Sequence, residues 1–599
     1  MCGIYGVRSI TDGIVPIESI LHSLSNKLTH RGPDDNNQVS FPHGGIGARR
    51  LSIVSPSNNI QPVHNEDKSV WAVMNGEIYN YQKLRQKLSR SHKLNQDGDT
   101  EVIVHLYEEY GDRMVEHLQG MYAIAIWDSR TQKLILIRDR FGEKPLYILQ
   151  CHNWIAFSSE VSALLSLPEF NKYIELTSVI DYMSFGFVSG SMTLIQQVRK
   201  LPPATITYLD QSLHLHEHKY WSLPEPSNEE DKVSTDYQST IDNLTNELQK
   251  ACIHLYEMSA APVGLFLSGG IDSSIIASLL ATGGIRDFQA FTLDYPSINE
   301  FTDAKYANQL AKSYGFTHHL VKVTKEDLWN ILPILIKYID EPCDDPSALP
   351  LLLLSQYAAR RVKVVLCGAG ADELFGGYEV HWDAIQSAPS FGGNRSFWHQ
   401  ISLLNRSRAL RLFAPKMIEH CRDIELGEWF SDRWAPHYTK DPTWNVLATD
   451  LNYRLPDQLL AIGDRLTMAA SLEARAPFLT KDFAEKSIQL PSSWKIGRRK
   501  RKGVLRDIAG LLLPMDVISR PKQGLPSPLL TVWFDFLVLP LWSTLRADLP
   551  FYFTKVFNIS TIDAIEENAM KDNPLAKRFL WRLTLLTAWL KDNQITLAH

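Results

Sequence analysis

The sequence predicts a multidomain α/β protein, and three observations carry that prediction. Residues 2 to about 205 are strand-rich, the stretch from 236 alternates apolar strands with helices, and the last ~200 residues follow a helical period. Length agrees. A chain of 599 residues is too long for one hydrophobic core, so two large domains are expected, 2–205 and 236–596, joined by a linker at 206–235.

In the first third, short alternating or apolar runs read as strands: GGIGARRLSIV from Gly44, VWAVMNGEIYNY from Val70, YAIAIWD from Tyr122, KLILIRDR from Lys133 and WIAFSSE from Trp154. Helical stretches lie between them at Ile17–Leu28 and Thr100–Tyr110. The acidic, Pro-containing PEPSNEEDK, Pro224–Lys232, is the linker candidate. Beyond it a long helix, Tyr237–Met258, precedes an apolar strand, Val263–Leu267. Strands at Asp287–Leu293, His319–Val323 and Val362–Leu366 then alternate with helices, which argues for a parallel sheet.

Composition narrows the function classes. Hydrophobic content of 44% with 21% charged residues describes a soluble globular chain. A net charge of −6 gives no footprint for nucleic acid. No apolar run reaches the roughly 18–20 residues that span a bilayer, so no membrane association is expected. Arg8 and Asp12 interrupt any signal-peptide core, which leaves the cytoplasm as the expected location. The six cysteines (2, 151, 252, 343, 367, 421) form no CxxC pair, which fits a reducing compartment and speaks against a structural zinc. No repeat of about 20–50 residues is present.

Two short stretches carry chemistry. The chain opens MCGIYGVRS. Removal of Met1 would leave Cys2 with a thiol and an α-amine on one residue. An α-amine titrates at about 7.7–8.0, near enough to neutrality to serve as base to the adjacent nucleophile. The second stretch is VGLFLSGGIDSS, Val263–Ser274. An apolar strand ends at Ser268, Gly269 and Gly270 permit a tight turn, and Ser273 and Ser274 open a helix whose N–H groups attract anions. Asp272 is out of place beside phosphate unless it holds a bridging divalent cation. The loop is neither Walker A nor GxGxxG.

SGGIDSS resembles the pyrophosphate loop of ATP pyrophosphatases. With MCGIYG in front, the chain from Cys2 to about Leu590 resembles the class II glutamine amidotransferase family of asparagine synthetases. The resemblance implies an N-terminal Ntn-hydrolase αββα sandwich. It also implies a C-terminal parallel-sheet ATP-pyrophosphatase domain, adenine nucleotide alpha hydrolase-like, with a helical C-terminal part.

For the first domain it implies that Cys2 attacks the glutamine amide and that Arg50, in RRLSIV, grips the glutamine carboxylate. Asn75 and Gly76, in NGEIYN, would form the oxyanion hole, and Glu77 and Asp99 would accept the α-amine. RGPD (Arg31–Asp34) also matches, and RDRFGEKPLYI (Arg138–Ile148) reads as packing at the domain interface.

For the second domain the resemblance implies ATP bound by Leu267, Ser268, Gly269, Gly270, Asp272, Ser273, Ser274, Leu293, Gly368 and Tyr378, with Mg²⁺ on Asp272 and Asp372. Lys502 would contact pyrophosphate and the transition state, while Arg498–Arg501 read as a solvated loop. Glu341, Ala369 and Glu373 would face the acceptor carboxylate. The implied partners are glutamine, ATP and that carboxylate, and the family often forms dimers.

LCGAGADELFGGY, Leu366–Tyr378, departs from the family's SGEGxDE pattern: Cys367 replaces serine and Ala369 replaces an acid. RPKQGLPSPLL, Arg520–Leu530, is only partly typical, and Thr480 stands where SLExRxPFLD ends in Asp. Three readings of Ala369 stay open. Glu373 or His381 replaces the lost acid, the acceptor is larger than aspartate, or the synthetase site is impaired. Relatives of the same architecture close peptide macrolactams, but they generally lose the Cys2 constellation. Its presence here argues for ammonia as the nucleophile. A glutaminase or non-catalytic protein is the remaining alternative.

Overall fold

The computed structural model describes residues 2–10, 16–55, 58–168, 170–226, 237–295, 303–391, 393–420, 439–497, 501–519 and 530–598. Twelve strands build the first domain: β1 (Cys2–Ser9), β2 (Asp35–Phe41), β3 (Gly44–Arg50), β4 (Val63–His64), β5 (Val70–Ile78), β6 (Gly120–Asp128), β7 (Lys133–Arg138), β8 (Tyr147–Gln150), β9 (Trp154–Ser158), β10 (Val198–Lys200), β11 (Thr205–Leu209) and β12 (Leu215–Lys219). They form two six-stranded sheets, ordered β10-β8-β9-β1-β3-β2 and β12-β11-β7-β6-β5-β4, with antiparallel pairing throughout. Ile4, Ile46, Val73, Ala123, Leu136, Ile148 and Phe157 fill the space between the sheets. Helix α1 (Ile17–Lys27) covers one outer face, burying Ile20, Leu21 and Leu24. Helices α2 (Tyr81–Leu88) and α3 (Val102–Tyr110) cover the other. This is the αββα sandwich the sequence resemblance implies.

The first domain runs past the expected boundary at 205. β11 pairs with β7, and β12 pairs with β11, so 205–219 form a sheet hairpin rather than a linker. The alternating TITYL buries every residue but one against β7, whereas LHEHK on the outer edge is largely exposed. Residues 227–232 of the linker candidate lie outside the described residues.

The second domain holds five parallel strands: β13 (Val263–Phe266), β14 (Gln289–Asp294), β15 (Thr317–Lys322), β16 (Val364–Leu366) and β17 (Glu473–Arg475). Their order is β15-β14-β13-β16-β17. The chain therefore steps outward from β13 to one side and later returns to its other side as β16. The carboxyl ends of β13 and β16 flank this switch point, where open α/β sheets bind ligands. Most of the chain after 371 is helical, and the long helix Pro574–Asp592 buries Phe579, Trp581, Leu586 and Trp589.

Candidate active sites

Cys2 begins β1, in the interior of its sheet, and pairs across to Arg50 at the end of β3. It is buried, and burial pushes its thiol up, with the Arg50 charge opposing. The Cys2 backbone nitrogen donates to Asn75 Oδ1 at 3.1 Å. That leaves Asn75 Nδ2 buried and without a hydrogen-bond partner. A buried amide donor left open beside a nucleophile is what an oxyanion requires. Gly76 follows at φ +143°, and a Cβ there would lie 2.0 Å from the Met121 carbonyl oxygen, so only glycine fits. Arg50 is held by Asp35 Oδ2 at 3.0 Å and by the carbonyls of Val54 and Ser55 at 3.2 and 3.1 Å.

Glu77 and Asp99 are both buried. Asp99 accepts from the Ile78 backbone at 2.9 Å and from Asn59 Nδ2 at 3.1 Å. Burial raises Asp99, and burial with the neighbouring charges of Glu473 and Asp99 raises Glu77 well above the carboxylate range. Glu77 Oε2 has no partner. Two carboxyls held in this state gain from an incoming ammonium. The sequence reading missed Gln61, whose Nε2 lies 3.5 Å from Cys2 Sγ and whose Oε1 is fixed by the Met74 backbone at 2.6 Å. Only the fold brings it to the thiol; no local pattern marks it.

A cavity of about 330 Å³ opens at the ends of β13 and β16. Ser268, Gly270, Asp272 and Ser273 line it from one loop and Cys367, Gly368, Ala369 and Asp372 from the other. Within the first loop Ser273 Oγ accepts from the Ser268 backbone at 3.2 Å, and Ser268 Oγ accepts from Gly270 at 3.3 Å. Lys502 reaches between the loops. Its Nζ is 2.6 Å from both Asp272 carboxylate oxygens and 2.8 Å from Asp372 Oδ1. Burial alone would lower this ammonium, but the two carboxylates outweigh burial and hold it above the usual lysine value. Gly377 makes the approach feasible, since a Cβ there would sit 1.7 Å from Asp372 Oδ1 and 2.1 Å from Lys502 Cε.

Other expected site residues do not line the cavity themselves, although Leu267, Gly269 and Ser274 belong to its first loop and Tyr378 follows the lining Gly377. Leu267 and Leu293 are buried in hydrophobic cores, and Gly269, Ser274, Tyr378, Glu341 and Glu373 are not among the residues lining the cavity. Tyr378 donates to Glu373 Oε1 at 2.7 Å under the Arg454 guanidinium. Burial, then Asp450 and Asp372, push Glu373 up to about 7. His381 pairs with the fully buried Asp450 at 2.6 Å. Glu373 and His381 are thus each held by a buried polar partner, Tyr378 and Asp450. Glu341 accepts from the Leu194 backbone at 2.8 Å and lies 3.7 Å from Arg465, a contact between the domains. Arg501, read as solvated, lines the cavity with Arg506; Arg498–Lys500 and 520–529 lie outside the described residues.

One helix joins the two sites. In Ala461–Met468, Gly463 and Thr467 line the cavity, while Asp464 accepts from Arg31 Nη2 at 2.7 Å. Arg31 also donates to Glu160 at 3.0 Å and to the Cys2 carbonyl at 3.2 Å. Lys144, in RDRFGEKP, lies 3.5 Å from Asp464, which places that stretch at the domain interface.

The asparagine synthase family model matches residues 244–591, and the glutamine amidotransferase domain model matches residues 1–221. The glutamine-hydrolysing asparagine synthetase 1 of Bacillus subtilis is 29% identical over 562 residues, covering 88% of this chain and 87% of that protein. A putative glutamine-hydrolysing asparagine synthetase of Mycobacterium bovis is 31% identical over 582 residues, covering 88% of each. A glutamine-hydrolysing asparagine synthetase 2 of Arabidopsis thaliana is 30% identical, covering 89% of this chain and 80% of that one.

Proposed function

The chain belongs to the asparagine synthetase family and is a glutamine-dependent, ATP-using ligase that forms amides; from that premise we propose how its residues divide the work. Cys2, freed of Met1, attacks the glutamine side-chain carbonyl and passes its thiol proton to its own α-amine. Asn75 Nδ2 and the Gly76 N–H take the negative charge that develops on the carbonyl oxygen. Arg50 holds the substrate carboxylate, and Glu77 and Asp99 hold its ammonium. Ammonia leaves, a thioester remains, and water releases glutamate.

In the second site a carboxylate oxygen attacks the α-phosphorus of ATP, and pyrophosphate departs. Ammonia then attacks the activated carbonyl, giving the amide, AMP and a proton. Ser268, Gly270 and Ser273 cradle the phosphates at the helix N-terminus. Asp272 and Asp372 fit a divalent cation, because their carboxylates converge on one point that a lysine ammonium reaches. Mg²⁺ there would neutralise phosphate charge. Lys502 then faces the departing pyrophosphate. The helix Ala461–Met468, which lines the cavity and is tied to the Cys2 carbonyl through Asp464 and Arg31, supports internal transfer of ammonia in its reactive, uncharged form.

The observation that carries this reading is the convergence of Asp272, Asp372 and Lys502 at the cavity. The acceptor is aspartate or a related, larger acid, with the Ala369 methyl leaving room where the family places an acid. We assign the chain to the cytoplasm and a homodimer as its assembly; no helix among the described residues is long and apolar enough to cross a membrane. The test is a product assay with ATP, Mg²⁺, amide-¹⁵N glutamine and a series of carboxylates beginning with aspartate. Labelled amide with matched AMP and pyrophosphate supports the reading. Glutamate release with no ATP–pyrophosphate exchange for any acid overturns it.

A further inference from the structure

The first domain carries a cluster that neither active site uses. Glu66, His92, His105 and Glu108 each bring one potential ligand atom within 4.8 Å of all the others. They come from three segments: the turn after β4, the chain after α2, and one face of α3. His92 Nδ1 lies 3.2 Å from Glu66 Oε1 and 3.9 Å from Glu108 Oε2. His105 Nδ1 lies 3.6 Å from Glu66 Oε2 and 3.3 Å from Glu108 Oε2. A tetrahedral centre with ligand bonds of 2.0–2.2 Å has edges of about 3.3–3.6 Å; the 3.2, 3.3 and 3.6 Å separations lie near that range and the 3.9 Å one beyond it, and Glu66 reaches the two imidazoles through different oxygens, so a small turn of its carboxylate completes the set.

Charge and orientation agree. Two carboxylates face each Nδ1, and one N–H satisfies only one of them well. With neutral imidazoles the four groups sum to two negative charges, which a dication cancels. The ligands are also held from outside. Asn65 Nδ2 donates to Glu108 Oε1 at 2.7 Å, and the Lys93 backbone donates to Glu66 Oε1 at 3.0 Å. His92 Nε2 faces Glu109 Oε1 at 3.5 Å, an acceptor for the Nε2 proton in the tautomer whose bare Nδ1 would ligate a metal. His105 is buried, its Nε2 without a partner, while Glu66 is 40% exposed and gives a cation a way in.

We propose that Glu66, His92, His105 and Glu108 bind a divalent transition metal of the Zn²⁺ class. Two imidazoles with two carboxylates suit zinc better than magnesium or calcium, which favour all-oxygen sites. Cysteine spacing bears only on thiolate sites and is silent about this one. The metal would fasten the segment between His92 and His105, which contains Asp99, to the turn that follows Gln61. It therefore braces the glutamine pocket from behind; this last step rests on the glutamine reading of Asp99, whereas the metal site does not.

The test uses the full chain carrying Cys2→Ala, which removes the buried thiol as a competing ligand. Chelator-stripped protein is titrated with Zn²⁺, and retained metal is counted by mass spectrometry after gel filtration. One zinc per chain is expected, with a rise in melting temperature on loading. His92→Ala and, separately, the conservative Glu66→Gln should each weaken binding at least tenfold and abolish that thermal rise. Asp210→Asn with His214→Ala, at the exposed hairpin, should leave both readouts unchanged. Absence of retained zinc, or retention undiminished in folded His92→Ala and Glu66→Gln, overturns the proposal.

Discussion

Arg31→Met asks what the buried arginine between the two sites contributes. Arg31 is fully buried and donates to Glu160, to Asp464 and to the Cys2 carbonyl. Methionine keeps much of the volume but leaves two buried carboxylates short of a cation. Removing one member of such a group costs about 3–5 kcal/mol. The lower end applies, because His30 stays 2.9 Å from Glu160 and Lys144 stays 3.5 Å from Asp464. For a domain of roughly 200 residues, about 3 kcal/mol corresponds to a fall in melting temperature of roughly 6–12 °C.

The sign with pH is fixed by Glu160. Burial would raise it, but His30 and then Arg31 hold it at about 2, against an ordinary 4.5. A depressed carboxyl stabilises the fold above its unfolded value and loses that contribution as pH falls toward its folded value. The wild-type advantage is therefore full at pH 7 and shrinks below pH 4.5. Thermal melts of both proteins between pH 3.5 and 7.5 measure it. A difference under about 1 kcal/mol at pH 7, or one that widens on acidification, refutes the reasoning.

Asn75→Ala should cost about 10²–10³-fold in glutaminase kcat while sparing synthesis from added ammonia, measured by glutamate release and amide formation side by side. Gly76→Ala should abolish glutaminase activity or folding, because its Cβ meets the Met121 carbonyl at 2.0 Å; circular dichroism with a glutaminase assay separates the two outcomes. Glutamine kcat/KM should fall on the acid side at a higher pH than ordinary carboxylates dictate. Glu77 and Asp99 are raised and bind an ammonium only when ionised, so a pH–rate profile is the check. Lys502→Met should remove ATP–pyrophosphate exchange and leave glutamine hydrolysis in place.

Sequence alone marked most of the elements and the two short stretches on which the proposed chemistry rests. Period-two and apolar runs marked strands because side chains alternate across a sheet, and those signals are local. The same locality made SGGIDSS legible, since strand, glycine turn and helix N-terminus are contiguous. MCGIYG stood out because the thiol and α-amine proposed as nucleophile and base share one residue. Strand ends and the edge of the first domain were less so. β11 joins the sheet through pairing with β7, a partner some 70 residues away in the chain, and β12 joins it through β11.

Tertiary structure decided what depends on distance. Gln61 reaches Cys2, Arg31 joins Glu160 to Asp464, and Gly377 lets Lys502 close on Asp372; none of these has a local signature. Tertiary structure also sorted the acids of the second domain. Asp272 and Asp372 meet at the cavity, while Glu373 and Glu341 turn to Tyr378 and to the Leu194 backbone. Sequence specifies which side chains can take part in chemistry, because that is a property of residue type. Which of them share one space depends on crossovers that bring β13, β16 and the 502 loop together, and on burial that each carboxylate must offset with a partner of its own.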